Sequence, residues 1–264
     1  MKRTSRPALI AASAAVALSV VLTGCSDKGA STTGATDTAA ASASASDTDA
    51  PALVKAASEA AKNVTSLHFL VKVDGKVPNM PISKVDGDLQ VKPVTQATGT
   101  ATIDIGGRSE GTFVYTDGTM YASLLGANYV DYGDGASIYD VSALFDPAKG
   151  IPNVLATMTG AKAAGTETID GQETVKVTGT VPATEIAAIS GSRVDPEKSV
   201  PVPTTAWIQK SGDRQLVRLE VKPSTEGTIT LTFSKWGQKV TVTKPAVEAA
   251  PSGPKPTDSQ DSPR

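Results

Sequence analysis

The spacing of hydrophobic residues changes along the chain, from a helical repeat after residue 50 to a two-residue alternation that starts at residue 67. The helical repeat predicts one amphipathic helix, whose apolar face consists of Leu53, Ala56, Ala57, Ala60 and Val64. Asp49 can cap this helix, and Pro51 lies in the first turn, where a missing N–H costs no hydrogen bond.

The two-residue alternation predicts strands with one apolar and one polar face. In the first of them Leu67, Phe69, Val71 and Val73 alternate with His68 and Lys72, and Leu70 is the exception. Gly106-Gly107 and Asp117-Gly118 separate later strands as turns. Strands are predicted at 67–73, 85–91, 99–105, 112–115, 120–124, 175–181, 205–210, 215–222, 228–234 and 238–243.

Short helices are predicted at 140–147 and 151–158, between the two blocks of strands, and at 183–189, after the strand at 175–181. Asp140 can cap the first of them, and Pro147 ends it. The order of elements predicts an α+β fold, a large antiparallel sheet with helices segregated to one face.

The residues on the inner face of this sheet are mostly Val, Ile, Ala and Gly, and the chain has four Phe and two Trp. A sheet of eight or more strands curls, and its concave face must be filled. Because interiors pack densely, small residues there imply either close helix packing or a cavity. The residues alone leave both alternatives open.

The first 24 residues have the build of an export signal: a basic start, an apolar run from Ala8 to Leu22, and small residues before Cys25. The run holds roughly 15 residues, whereas a transmembrane helix needs about 20. Leu22-Thr23-Gly24-Cys25 resembles the bacterial lipobox, which implies cleavage after Gly24 and acylation of Cys25. The alternative is an ordinary secretory signal followed by an incidental thiol.

Composition divides the remainder into three parts. Residues 25–50 carry no large apolar side chain and predict an acylated N-terminus with a flexible tether, and the Pro- and Ser-rich residues 246–264 predict a disordered tail. The domain between them spans 51–245. Removal of residues 1–24 leaves 22 basic and 27 acidic residues, a formal charge of −5, which argues against a nucleic-acid partner.

The sequence contains few groups that could carry out catalysis. His68 is the one histidine, on a predicted outward position, and no Gly-x-Ser-x-Gly motif supplies a nucleophile for it. Cys25 is the one cysteine, and no run of Asp and Glu has the spacing of a calcium loop. We therefore expect no catalytic residue, no metal site and no cofactor.

Longer stretches of the domain resemble the mycobacterial lipoproteins of the LppX, LprA, LprF and LprG family, and their order and spacing match LprG best. They include Asp74–Pro78, Gly87–Leu89, Ile138–Val141, Gly150–Ala156, Ile169–Gln172, Ala206–Gln209, Ser234–Gly237 and Val242–Pro245.

The resemblance implies a half-barrel sheet whose concave side is covered by helices and encloses an apolar cavity. In family members a β-branched residue on the third strand lines the cavity, and its position corresponds to Ala101. The expected lipid-binding residues are Phe69, Val71, Val73, Ala101, Ile103, Ile105 and Phe113.

The resemblance also implies a function, that of a carrier anchored to the cell membrane on its extracytoplasmic side through Cys25. Its cargo would be triacylated lipids and glycolipids, such as lipoarabinomannan-type glycolipids, phosphatidylinositol mannosides or triacylglycerol. Its partner would be an inner-membrane transporter of the major-facilitator type. The alternatives are a scaffold lipoprotein that binds such a transporter and, with less support from the residues, a lipid-modifying enzyme.

Overall fold

Eleven antiparallel strands form one sheet, in the order β6-β5-β4-β3-β2-β1-β11-β10-β9-β8-β7. The computed structural model describes residues 49–247, except 79, 105, 125, 127 and 191–199. The strands are β1 (Ser66–Gly75), β2 (Ile82–Gln90), β3 (Gln96–Asp104), β4 (Arg108–Thr116), β5 (Thr119–Leu124), β6 (Val130–Asp134), β7 (Thr159–Ile169), β8 (Gln172–Val181), β9 (Val202–Gln209), β10 (Leu216–Ser224) and β11 (Gly227–Ser234).

The sheet consists of two meanders joined at their ends. Strands β1 to β6 run in chain order from the middle of the sheet to one edge, and β7 to β11 return from the opposite edge to the middle, where the antiparallel pairing of β1 with β11 joins the two meanders. Tight turns make the meanders possible. Asp117-Gly118 and Asp170-Gly171 adopt positive φ angles of 52° and 76°, and of 48° and 80°. Two such residues match the twist of the flanking strands, as the sequence predicts for Asp117-Gly118.

The helices all pack on one face of the sheet, which confirms the predicted α+β class. They are α1 (Ala50–Lys62), α2 (Ile151–Ala156) and α3 (Ala183–Ser190), and two 3₁₀ helices lie at Gly135–Ser137 and Val141–Phe145. Asp49 caps α1 as predicted, because its Oδ1 accepts a hydrogen bond from the N–H of Ala52 at 3.1 Å. The described residues belong to one compact unit, with a core built from these helices and the inner face of the strands.

The two edge strands, β6 and β7, were not predicted from the sequence. Strand β7 contains the stretch Thr159-Gly160-Ala161-Lys162-Ala163-Ala164-Gly165, and nearly all of its side chains are exposed. Strand β6 is exposed along its whole length. Because exposed positions need not be apolar, the sequence carries no alternating strand pattern at these edges.

The prediction of a strand at 238–243 is wrong. These residues form no strand because β11, which precedes them, is already paired with β1 and β10. The chain instead crosses the outer face of the sheet, the face that carries no helices. The N–H of Gly237 donates to the carbonyl of Ser66 at 2.9 Å, and the Ser66 hydroxyl donates to the carbonyl of Gln238 at 2.6 Å. Farther along, Val247 bridges to Tyr129 beyond β5.

Candidate functional site

Rows of paired residues run across the inner face of strands β1 to β5. Directly opposed residues on antiparallel neighbours project to the same face, so each row can be read from the register. One row consists of Phe69, Gly87, Gly99, Phe113 and Ala122, and the next of Val71, Val85, Ala101, Gly111 and Leu124. Both rows have small residues in their middle, between larger ones.

The glycine pair in the first row brings two strands unusually close. A Cβ atom on Gly99 would lie 2.3 Å from the carbonyl oxygen of Asp86 and 2.7 Å from the Cα atom of Gly87. Neither distance is sterically possible, so a side chain at Gly99 would force β2 and β3 apart. Phe69 and Phe113 flank the pair, and the sheet between them is bare backbone.

An apolar pocket of about 370 Å³ lies over this part of the sheet. Strands β1 to β5 form its floor together with Val221, Ile229 and Leu231 of β10 and β11. Helix α1 does not cover the pocket, because it packs on α2 and on β7, β9 and β10. Small side chains on the floor and the displacement of α1 to the other half of the sheet together leave the space unfilled.

The roof of the pocket comes from α3 and the chain around the 3₁₀ helix at 141–145. It includes Tyr139, Val141, Leu144, Ile186 and Ile189. The hydroxyl of Tyr139 donates a hydrogen bond to the carbonyl of Ile189 at 2.6 Å, which joins the two parts of the roof. Burial, and secondarily the negative charge of Asp140, raise the pKa of Tyr139 far above its usual value. The hydroxyl therefore keeps its proton and its role as a donor.

The pocket meets solvent where its lining residues are exposed. Leu124 is 40% exposed, Tyr132 47% and Ile138 55%, although all three also line the pocket. No charged side chain is present among the described residues that line it. An uncharged apolar pocket with an apolar mouth suits a ligand with hydrocarbon chains.

The structure brings six of the predicted lipid-binding residues to the wall of one pocket: Phe69, Val71, Val73, Ala101, Ile103 and Phe113. Ile105 and Cys25 lie outside the described residues, as do positions 1–48 and 248–264 of the predicted signal, tether and tail. That the six residues bind lipid stays a prediction, as does the enclosed cavity implied by the resemblance.

Sequence reasoning found the floor of this pocket but missed its roof and mouth. Helix α3 is predicted at the right place, and Ile186 and Ile189 are spaced as residues on one helical face are. That spacing indicates a buried face, but it does not indicate which part of the sheet the face covers. Tyr132 belongs to a strand that the pattern did not reveal.

His68 projects to the outer face of the sheet, away from the pocket. Its Nδ1 lies 2.8 Å from Oδ1 of Asp88, and its Nε2 lies 3.3 Å from Oδ1 of Asp86. Partial burial works to raise the pKa of Asp88, but hydrogen bonds from His68 and Gln238 outweigh it and leave that pKa below its usual value. These contacts tie β1, β2 and the C-terminal segment together.

The described residues also bear on metal binding and on membrane spans. Within 49–247, outside the gaps given above, no three His, Cys, Asp or Glu side chains are grouped as a metal ion would require. In the same part of the chain, none of the helices has the length and apolar character needed to cross a membrane.

The fold and the pocket define a class of protein, a single open antiparallel sheet with an apolar pocket between its inner face and a partial cover of helices. The chain belongs to the LppX_LprAFG lipoprotein family, whose model matches residues 49–242. This confirms the resemblance inferred from the sequence motifs.

Individual family members align over most of the chain. Lipoprotein LprA of Mycobacterium tuberculosis is 43% identical over 251 residues, which cover 93% of this chain and 100% of LprA. The lipoarabinomannan carrier protein LprG of Mycobacterium leprae is 39% identical over 201 residues, 75% of this chain and 83% of LprG. Identity is thus higher to LprA than to LprG, although the order of short motifs suggested LprG.

A solved structure supports the same assignment. The crystal structure of LprF from Mycobacterium bovis superimposes with a TM-score of 0.67 at 29% identity and covers 75% of this chain and 97% of LprF.

Proposed function

We propose that this protein is a membrane-anchored carrier that holds the acyl chains of triacylated lipids or glycolipids in its pocket and moves them from the inner membrane toward the outer envelope. The observation that supports this most directly is the pocket itself, because the described residues that line it are uncharged and almost all apolar. Each Å² of acyl surface that the pocket removes from water contributes about 25 cal/mol. A carrier in an aqueous compartment therefore needs such a pocket and needs no catalytic group.

Candidate cargoes are lipoarabinomannan-type glycolipids, phosphatidylinositol mannosides and triacylglycerol. The name of the related LprG, a lipoarabinomannan carrier protein, supports a glycolipid cargo. Acyl chains would lie against Phe69, Val71, Ala101, Ile103 and Phe113, and the polar head group would stay at the mouth. This placement of the chains inside and the head group at the mouth matches the chemistry of the site, since none of the described residues that line the pocket carries a charge.

The membrane anchor would be the acylated Cys25, on the extracytoplasmic side of the cell membrane. The lipobox-like sequence before Cys25 and the membership in a lipoprotein family support this placement. An inner-membrane transporter of the major-facilitator type would be the partner that works beside the carrier. Anchoring keeps the carrier next to the bilayer that contains its cargo.

Mass spectrometry of lipids that copurify with residues 26–264 tests the carrier function. This form lacks Cys25 but contains the complete folded unit. We expect bound lipids with acyl chains, and we expect a delipidated sample to take up a fluorescent triacylated lipid. A domain that is consistently empty and also rejects added triacylated lipid would refute the proposal and would favour a scaffold lipoprotein.

A further inference from the structure

Four exposed apolar side chains surround the opening of the pocket, and we call them the mouth patch: Leu124, Val130, Tyr132 and Ile138. Their exposed fractions are 40%, 48%, 47% and 55%. Leu124, Tyr132 and Ile138 line the pocket, whereas Val130 does not. Val130 pairs directly with Ala122, a lining residue, so its side chain projects to the same face of the sheet, beside the opening.

The grouping of exposed apolar side chains at the mouth is unusual for the surface of this protein. Seven large hydrophobic side chains are exposed among the described residues, and four of the seven form the mouth patch. Single exposed apolar residues need no explanation, but a contiguous group indicates an interaction surface.

The flanking segments of the chain cannot cover the patch with apolar side chains. Residues 26–48 and 248–264 contain no Leu, Ile, Val, Met, Phe, Tyr or Trp. Neither of these two segments can therefore supply an apolar surface for the patch.

A lipid bilayer fits the patch both in its apolar chemistry and in its expected distance from the anchor at Cys25. Aliphatic residues beside a tyrosine are the combination found at membrane interfaces, where the ring lies at the level of the head groups. As the flexible tether that their composition predicts, the 24 residues from Cys25 to Thr48 would have an r.m.s. reach of about 25–30 Å, so a domain anchored at Cys25 would stay close to the bilayer surface. The patch is also continuous with the pocket lining, so no aqueous gap separates the two.

We propose that the mouth patch docks the domain on a lipid bilayer, so that its side chains enter the interface and acyl chains pass between bilayer and pocket without crossing water. This inference rests on the proposed carrier function. Because the patch is apolar and the lining is uncharged, docking requires neither anionic lipid nor low salt.

Val130 and Val94 provide a matched pair for the test. Both are exposed valines, 48% and 52%, but Val94 lies in the connection between β2 and β3 and does not contact the pocket. The experiment measures sedimentation of residues 26–264 with phosphatidylcholine vesicles, for the wild-type domain and for Val130→Asp and Val94→Asp. We expect Val130→Asp to weaken vesicle binding about tenfold, since a charge is costly to insert, and Val94→Asp to have no effect.

Tryptophan at the same two positions tests insertion without destabilising charge. With vesicles whose acyl chains carry bromine, we expect quenching of the additional fluorescence in Val130→Trp and not in Val94→Trp. Equal vesicle binding by the two aspartate variants, or equal quenching in the two tryptophan variants, would overturn the proposal. So would a dimer in solution that Val130→Asp dissociates, because the patch would then bind a second copy.

Uptake of detergent-dispersed triacylated lipid separates this inference from the carrier function. A wild-type domain that takes up this lipid but ignores vesicles would overturn docking and leave the carrier function in place. A domain that binds vesicles through Val130 but takes up no lipid would support docking and overturn the carrier function.

Discussion

Replacing Ala101 with tryptophan should close the pocket from its floor. Ala101 lies at the centre of a row in which its neighbours are Val85 on one side and Gly111, which has no side chain, on the other. An indole at this position projects into the pocket and can extend over Gly111. The fold should tolerate the change, because the new side chain enters open space of about 370 Å³ instead of a packed core.

The loss of affinity follows from the contact area that the indole takes from the ligand. A tryptophan side chain buries at least about 150 Å². If the lipid loses the same apolar area at about 25 cal/mol per Å², binding weakens by about 4 kcal/mol. This corresponds to a dissociation constant roughly a thousandfold higher.

Titration of the domain with a fluorescent triacylated lipid measures this change. Thr100→Trp is the matched control, since Thr100 precedes Ala101 on β3 but projects to the outer face, where it is exposed. We expect Thr100→Trp to bind lipid like the wild-type domain. If Ala101→Trp has an unchanged circular dichroism spectrum and still binds lipid tightly, then the pocket described here is not the lipid site.

Three further predictions concern the anchor and the sheet. Cys25→Ser in the full chain should prevent incorporation of a labelled fatty acid in cells, and residues 26–264, which lack Cys25, should still bind lipid; a retained label would show that Cys25 is not the acylated residue. Gly99→Val should lower the free energy of unfolding by about 3 kcal/mol in urea titrations, because its Cβ would meet the carbonyl of Asp86; an unchanged value would contradict the close approach of the two strands. Asp88→Asn should lower stability by about 0.5 kcal/mol at pH 7, a small value because the Asp88 side chain is 41% exposed. Because the folded-state pKa of Asp88 lies below its ordinary value of 3.8, that difference should shrink as the pH falls from 3.8 through the lowered pKa, and a difference that stays constant over that range would exclude the Asp88 carboxylate as its source.

The two edge strands and the C-terminal segment show where sequence patterns stop predicting structure. The alternation at Leu67–Val73 predicted β1 because one face of that strand is buried against the core. Strands β6 and β7 lie at the edges and most of their side chains are exposed, although α1 contacts β7, so burial imposes no alternating pattern on them. The residues 238–243 have an alternating pattern, but the strand that precedes them already has neighbours on both sides.

The pocket likewise has one part that the sequence predicts and one part that it does not. Its floor could be predicted because alternation assigns Phe69 to one face of β1, and Ala101 and Ile103 to one face of β3. Its roof could not, because the contact between Tyr139 and Ile189 joins residues 50 positions apart through a helix whose docking place the sequence does not specify.

The amino-acid sequence by itself determined the class of fold, the inward face of β1 and β3, and the family. These properties depend on local periodicity and on short contiguous motifs. Only the tertiary structure decided whether the small inward residues meant tight helix packing or an open space. Helix α1 packs over β7, β9 and β10, so the small residues of β2 to β5 remain uncovered by it and form the floor of a pocket. The docking of a helix depends on the summed contacts of residues far apart in the chain, which no local pattern contains.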